Sequence, residues 1–323
     1  MSRTSSVTVT VPATTANLGP GFDCIGAALT LYNHFKFSRL DRHPRRYDSE
    51  QSLEISVSGA EAHRVSTDES NLVYRSFLKL YDCLGHEPPP VAIEIDLGVP
   101  LARGLGSSAT AIAGGLVAAN ALAGTPLTRA EIVQLAIEIE RHPDNVVPAL
   151  LGGCRLAAAS TFGERSDLPR MWEICEIPWH PTIVPVVAIP TFELSTEKAR
   201  GVLPEQYTRA DAIFNTSHLG LLVRGLETGN GNWLRAAMQD RIHQPYREIL
   251  IPGYQAVRAA AIEAGAYGMA ISGAGPTALA LASIADAPAV AAAMSLTWKE
   301  YDIKAEARSL SLDSRGAMVK YGD

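Results

Sequence analysis

Valine and threonine alternate through residues 7–11, the period-two pattern of a strand with one buried face. Leu53, Ile55 and Val57 repeat it, and so do Val91, Ile93, Ile95 and Leu97, so each stretch predicts a strand. Residues 27–40 are apolar and β-rich enough for another strand or a pair. Leu72, Val73, Phe77, Leu80 and Tyr81 recur at helical spacing and predict a helix over 71–84, closed by Gly85. A second helix is predicted over 128–141, where Thr128 caps and Glu131 follows three residues later. Residues 109–124 are mostly alanine, glycine and other small apolar residues, which suits a closely packed helix.

Past Gly152 the pattern changes. Residues 154–161 predict a strand leaving the first domain, and 182–189 a buried strand. Residues 198–225 and 233–250 are helix-rich, and 277–283 form an apolar run after a glycine turn. A helix is predicted over 287–298 with Asp286 placed to cap it, then a closing strand over 303–310. Strands and helices mix without strict βαβ repetition, so the predicted class is α+β. Gly, Pro and Ser within 163–169 mark a linker and divide the chain into 1–163 and 164–323.

Composition narrows the partners. The 323 residues are 47% hydrophobic, enough for a sizeable core, and the net charge of −6 argues against a nucleic-acid partner. The densest basic patch, residues 39–46, also holds Asp41 and Pro44 and reads as a solvated loop. Cys24, Cys83, Cys154 and Cys175 show no Cys-x-x-Cys pairing, which predicts free thiols in a reducing cytoplasm. Residues 1–10 lack a secretory pattern, and Asn120 within 109–124 argues against a membrane span.

The candidate chemistry centres on PLARGLGSSAT, residues 100–110, between the strand at 91–97 and the small-residue helix. Glycines there allow close backbone approach, and a helix start offers unpaired N–H groups, so the segment predicts an anion cradle for nucleotide phosphates. No Lys follows its last glycine, which excludes the P-loop pattern. Gly104, Gly106 and Ala109 fit a relaxed dinucleotide fingerprint, but residues 98–103 intervene after the strand.

Two further glycine motifs frame this one: PATTANLGPGFDCIG at 12–26 and ISGAGPT at 271–277. Their order and separation resemble the three motifs of the GHMP small-molecule kinases. The first motif, and RHPDNVVPALLGG at 141–153, resemble the homoserine kinase branch of that family. The chain has Arg141 where the family usually has Gly.

The resemblance implies an N-terminal domain like domain 2 of ribosomal protein S5 and a ferredoxin-like C-terminal domain, with the active site between them. It implies phosphoryl transfer from ATP, with Mg²⁺, to the hydroxyl of L-homoserine, and a homodimer. Carried onto this sequence, it assigns ATP contacts to Pro100, Leu101, Ala102, Arg103, Gly104, Leu105, Gly106, Ser107, Ser108, Ala109 and Thr110. Mg²⁺ falls to Ser107 and to a helix glutamate; Glu138 and Glu140 both qualify, and Glu140 is favoured. Thr14, Asn17, Asp23, His142, Thr196, Arg200, Arg247 and Gly273 are the implied substrate contacts, with Asp23 for the ammonium and the two arginines for the carboxylate. Arg241 is expected to be an exposed helix charge instead. The implied catalytic residues are Asp144, the candidate base, and Asn145; direct passage of the hydroxyl proton to the γ-phosphate is the open alternative, with Asn145 then positioning the γ-phosphate or the acceptor hydroxyl. Another GHMP kinase, such as a mevalonate-pathway kinase, and a non-catalytic ATP- or amino-acid-binding regulator are the competing readings.

Overall fold

A computed structural model describes residues 5–40, 53–160 and 171–322. The expected linker at 163–169 and most of the basic patch lie outside these residues. Among these residues, eleven strands form two sheets. The first contains β1 (Ser6–Asn17), β2 (Gly21–Arg39), β3 (Leu53–Ser58), β4 (Val91–Asp96), β5 (Cys154–Ser160), β6 (Met171–Ile177) and, from the far end of the chain, β11 (Met318–Gly322). The second contains β7 (Ile183–Pro190), β8 (Gly268–Ile271), β9 (Ala278–Ser283) and β10 (Ala305–Ser309), in the order β10-β7-β9-β8.

The first sheet is covered by α1 (Leu72–Leu84), α2 (Ser107–Leu122), α3 (Arg129–Glu140) and α4 (Pro143–Leu151). Its alternating valines, Val7, Val9 and Val11, are all fully buried, as the period-two pattern requires. The small residues of α2 have a steric reason. A Cβ on Gly114 would lie 2.4 Å from the Phe35 ring, and one on Gly115 2.3 Å from the Val73 carbonyl oxygen. The boundaries of α1 follow its capping chemistry: Asn71 accepts from the Val73 and Tyr74 amides, and Gly85 closes the helix in the left-handed region. The Thr128–Glu131 capping box of α3 forms as predicted.

The second half adds α5 (Thr196–Gly201), α6 (Arg209–Thr228), α7 (Gly231–Ala237), α8 (Gln244–Arg247), α9 (Tyr254–Glu263) and α10 (Ala287–Glu300). The path β7, helices, β8, β9, α10, β10 is the ferredoxin-like βαββαβ order, with Trp298 of α10 fully buried in its core. The other face of this sheet shares a core with the first domain, where Leu18, Ile25 and Leu29 join Val187, Leu222 and Leu279.

The helix-rich stretch at 198–225 holds two helices, α5 and α6, with a break before Thr208 caps α6. Two expectations need correction. The strand at 154–160 does not leave the first sheet; it pairs with β2 and then with β6, so two strands from beyond residue 163, β6 and β11, complete that sheet. Asp286 makes no side-chain cap to α10; its carboxylate accepts the Ser283 hydroxyl at 2.7 Å.

Candidate active site

The three glycine motifs meet at the junction of the two sheets. Thr14 donates its amide to the Leu105 carbonyl (3.1 Å), Thr277 to Arg103 (3.2 Å), and Gly273 to Ala16 (3.1 Å). The Ser272 hydroxyl donates to the Gly104 carbonyl at 2.6 Å. Such closeness excludes side chains. A Cβ on Gly104 would lie 2.2 Å from the Ser272 carbonyl oxygen, and one on Gly106 1.9 Å from Thr14 Oγ1; both glycines also hold left-handed φ, +76° and +69°.

The loop's carbonyls are thus tied back into the protein. Among the described residues, the N–H groups from Ala102 through Ala109 have no intramolecular acceptor. A run of unpaired amides leading into the N-terminus of α2 can hold an anion.

The eleven loop residues predicted to contact the nucleotide do not all face it. Leu105, Ala109 and Thr110 have fully buried side chains, so Leu105 and Ala109 offer only main chain and Thr110 is withdrawn from the cradle. The Arg103 guanidinium is committed to the carbonyls of Leu101 (2.8 Å), Pro190 (3.1 Å) and Thr191 (2.7 Å), and lies beside Glu61 and Glu193. It binds the loop to the second domain rather than projecting into the cradle. The Leu101 amide is held by Glu61 at 2.7 Å, while Pro100, Gly104, Gly106 and Ser107 are half-buried and Ala102 and Ser108 exposed along the rim.

The two candidate glutamates separate clearly. Glu138 is exposed and lies 3.8 Å from Lys79. Glu140, two residues on and therefore on a different helix face, accepts the Ser108 hydroxyl at 3.1 Å. Burial raises the Glu140 pKa. The hydroxyl brought to Glu140 is that of Ser108, not of Ser107 as expected. Among the described residues no group of three or more His, Cys, Asp or Glu side chains could hold a metal ion. One carboxylate and one hydroxyl beside an anion cradle fit a hard cation that takes its remaining ligands from phosphate and water.

A second constellation faces the loop. Arg200 grips Asp23 with both terminal nitrogens, at 2.7 and 3.1 Å, and His142 Nε2 stands 4.0 Å from the same carboxylate. Burial and the nearby Arg200 charge lower the His142 pKa. Asn17 joins motifs one and three: its Nδ2 donates to the Gly273 carbonyl (2.9 Å) and its Oδ1 accepts the Asp23 amide (3.0 Å). Arg247 lies deeper, at 2% exposure, with Nε on the Ala199 carbonyl and a terminal nitrogen on that of Gly273. Thr14 donates to Asn145 Oδ1 (2.8 Å), and Asn145 donates to Asp144 Oδ1 (3.2 Å). Burial, with the Asp23 charge adding, pushes Asp144 up to about 7. Thr196 is exposed at the start of α5, one turn before Arg200.

Sequence reasoning missed two members. The Phe22 ring carries Arg247 and Arg200 at 5.0 and 5.6 Å from its centroid and stacks on His243 at 5.1 Å. His243 donates Nε2–H to the Gly19 carbonyl at 2.9 Å, and burial pushes its pKa down to about 4, so it stays neutral. Their signals were present: Phe22 precedes Asp23 in the first motif, and His243 precedes Arg247 by one helical turn. Arg241, as expected, is exposed; its guanidinium stacks on Phe214 at 4.1 Å.

An anion cradle facing a two-arginine, one-aspartate pocket across a domain junction defines a small-molecule phosphotransferase. The GHMP kinases N terminal domain matches residues 71–153, and the GHMP kinases C terminal domain matches 222–300. Homoserine kinases of Trichormus variabilis and Microchaete diplosiphon are 66% and 65% identical, each over 98% of this chain and covering 100% and 98% of those proteins. The crystal structure of homoserine kinase from Cytophaga hutchinsonii superposes with a TM-score of 0.85 at 31% identity, covering 99% of both chains. The chain belongs to the homoserine kinases of the GHMP kinase family.

Proposed function

We propose that this chain transfers the γ-phosphoryl group of ATP to the side-chain hydroxyl of L-homoserine, giving O-phospho-L-homoserine and ADP on the way to threonine. The observation that carries the reading is the run of unpaired amides from Ala102 to Ala109 opposite the Asp23–Arg200 pair. Phosphoryl transfer asks mainly for positioning and charge stabilisation, and the loop supplies both for the triphosphate. Glu140 and Ser108 would hold Mg²⁺, which supplies charge neutralisation at the phosphate oxygens when bound.

Asp23 and Arg200 neutralise each other as a bidentate pair. A zwitterionic amino acid exchanges partners with this pair: its ammonium takes Asp23, and its carboxylate takes Arg200, backed by Arg247. A zwitterion leaves the net charge of the pocket unchanged, and the exchange favours an α-amino acid over a simple hydroxy acid, which would leave Asp23 unpaired. Arg200 Nε is buried without a partner, an unsatisfied donor that a rearranged guanidinium can use. Phe22 and His243 fix the two arginines. Asp144, whose charge is felt together with those of Asp23, Arg200 and Glu140, belongs between the metal side and the amino-acid side, where it orients the acceptor hydroxyl with Asn145. The proposal includes a cytoplasmic location and a homodimer, the latter checked by sedimentation. No helix among the described residues is long and apolar enough to cross a membrane.

A coupled ADP-release assay against homoserine, other hydroxy amino acids and mevalonate tests the reading. Homoserine is expected to give the highest kcat/KM. A preference for mevalonate would reject the substrate while leaving the kinase class intact.

A further inference from the structure

We propose that Asn33 is a positioning residue for the nucleotide loop, an inference that rests on reading residues 98–110 as the ATP cradle. Asn33 lies on β2, outside every glycine motif, and is 1% exposed. Its Oδ1 accepts the amides of Gly98 (2.9 Å) and Val99 (2.8 Å), where the chain enters the loop. Its Nδ2 donates to Thr110 Oγ1 (2.8 Å), in the first turn of α2, where the chain leaves it. Thr110 passes its own proton to the Ser107 carbonyl at 2.8 Å. One carboxamide therefore clips the entrance of the loop to its exit.

The clip is chemically specific. It needs an acceptor for two amides and a donor for a hydroxyl on one flat group, which Asn supplies and Asp does not. With Asp at this position, Thr110 must turn its proton toward the new carboxylate and abandon Ser107, or leave two oxygens facing each other. The entrance has little room to adjust, because a Cβ on Gly98 would already lie 2.3 Å from the Tyr32 carbonyl oxygen. Between the two anchors the backbone takes left-handed turns at Ala102, Gly104 and Gly106. The direction of the amides that face the phosphates therefore depends on where the ends are held.

The experiment measures KM for ATP and KM for homoserine separately in Asn33→Asp, Thr110→Val and Thr110→Ser. Thr110 is fully buried, so its substitutions report on the clip and not on direct nucleotide contact. Asn33→Asp and Thr110→Val are expected to raise KM for ATP at least tenfold, with KM for homoserine within twofold of wild type. Thr110→Ser keeps the hydroxyl and is expected to restore the wild-type KM for ATP. The thermal shift produced by a non-hydrolysable ATP analogue should shrink in parallel. If Asn33→Asp does not fold, the Thr110 pair alone decides. Equal rises in both KM values, or an unchanged KM for ATP in Thr110→Val, overturn the positioning role. Failure of the wild-type protein to bind the analogue would instead overturn the reading of the cradle.

Discussion

Asp144 is 5% exposed, with Asp23 and Glu140 adding negative charge near it, opposed by the Arg200 charge and the Asn145 hydrogen bond. A carboxyl whose pKa rises from 3.8 to about 7 on folding stabilises the folded state fully below its unfolded pKa and loses that contribution as pH climbs through 7. Asp144→Asn lacks this dependence. Between pH 5 and pH 8 its stability relative to wild type should improve by on the order of 2 kcal/mol, read from urea midpoints. Its turnover should fall while remaining measurable, because Asn retains the positioning of the hydroxyl. Total loss of turnover with unchanged homoserine affinity would make Asp144 an obligatory base. Which residues the fold brings together was legible from the motifs, but their orientations were not. Whether Glu138 or Glu140 faces the cradle depends on helix phase, and the choice of Ser108 over Ser107 on how α2 begins. Arg103 looked like a phosphate ligand because it lies within the glycine loop; its guanidinium is spent largely on carbonyls of the second domain, which no local pattern signals.

Among the elements, those with strong periodicity and capping chemistry, such as α1, α3 and β4, stand close to their expected places. α4 and α9 were not foreseen. Pro148 inside α4 reads as a breaker, yet the helix persists against β1 and β2, so packing overrides propensity. α3 and α4 join at Arg141, which takes φ 72°. That left-handed turn aims α4, and with it Asp144 and Asn145, at the site. A non-glycine residue there carries a penalty of about 1 kcal/mol, partly offset by the greater unfolded-state freedom of glycine. Arg141→Gly should therefore stabilise the protein by about 0.5 kcal/mol and raise Tm by about 1 °C. A lowered Tm would mean that the Arg141 side chain contributes more than its backbone loses.

At the scale of the whole molecule, the chain returns at its end to its beginning. β11 pairs antiparallel with β1 over Ser6 to Thr10 and covers an edge whose Val7 and Val9 are fully buried. Ala317, just before it, is also buried; its carbonyl accepts from Arg129 at 2.8 Å and its amide donates to Leu150 at 3.2 Å. The first sheet therefore needs residues from both ends of the sequence, and no cut near residue 163 releases it whole. A local reading could not foresee this, because the closing strand is short and its partner lies some three hundred residues away. Removing residues 317–323 uncovers the edge of β1, breaks the Arg129 tie and exposes apolar surface to other chains. A loss of about 2–3 kcal/mol follows, lowering Tm by roughly 3–5 °C and promoting aggregation on heating. Thr14 and Asn17 lie on β1 beyond Thr10, where the pairing with β11 ends, so kcat/KM well below the melting temperature should stay within a few-fold of wild type. An unchanged Tm in the truncated chain would show that the first sheet closes without its last strand.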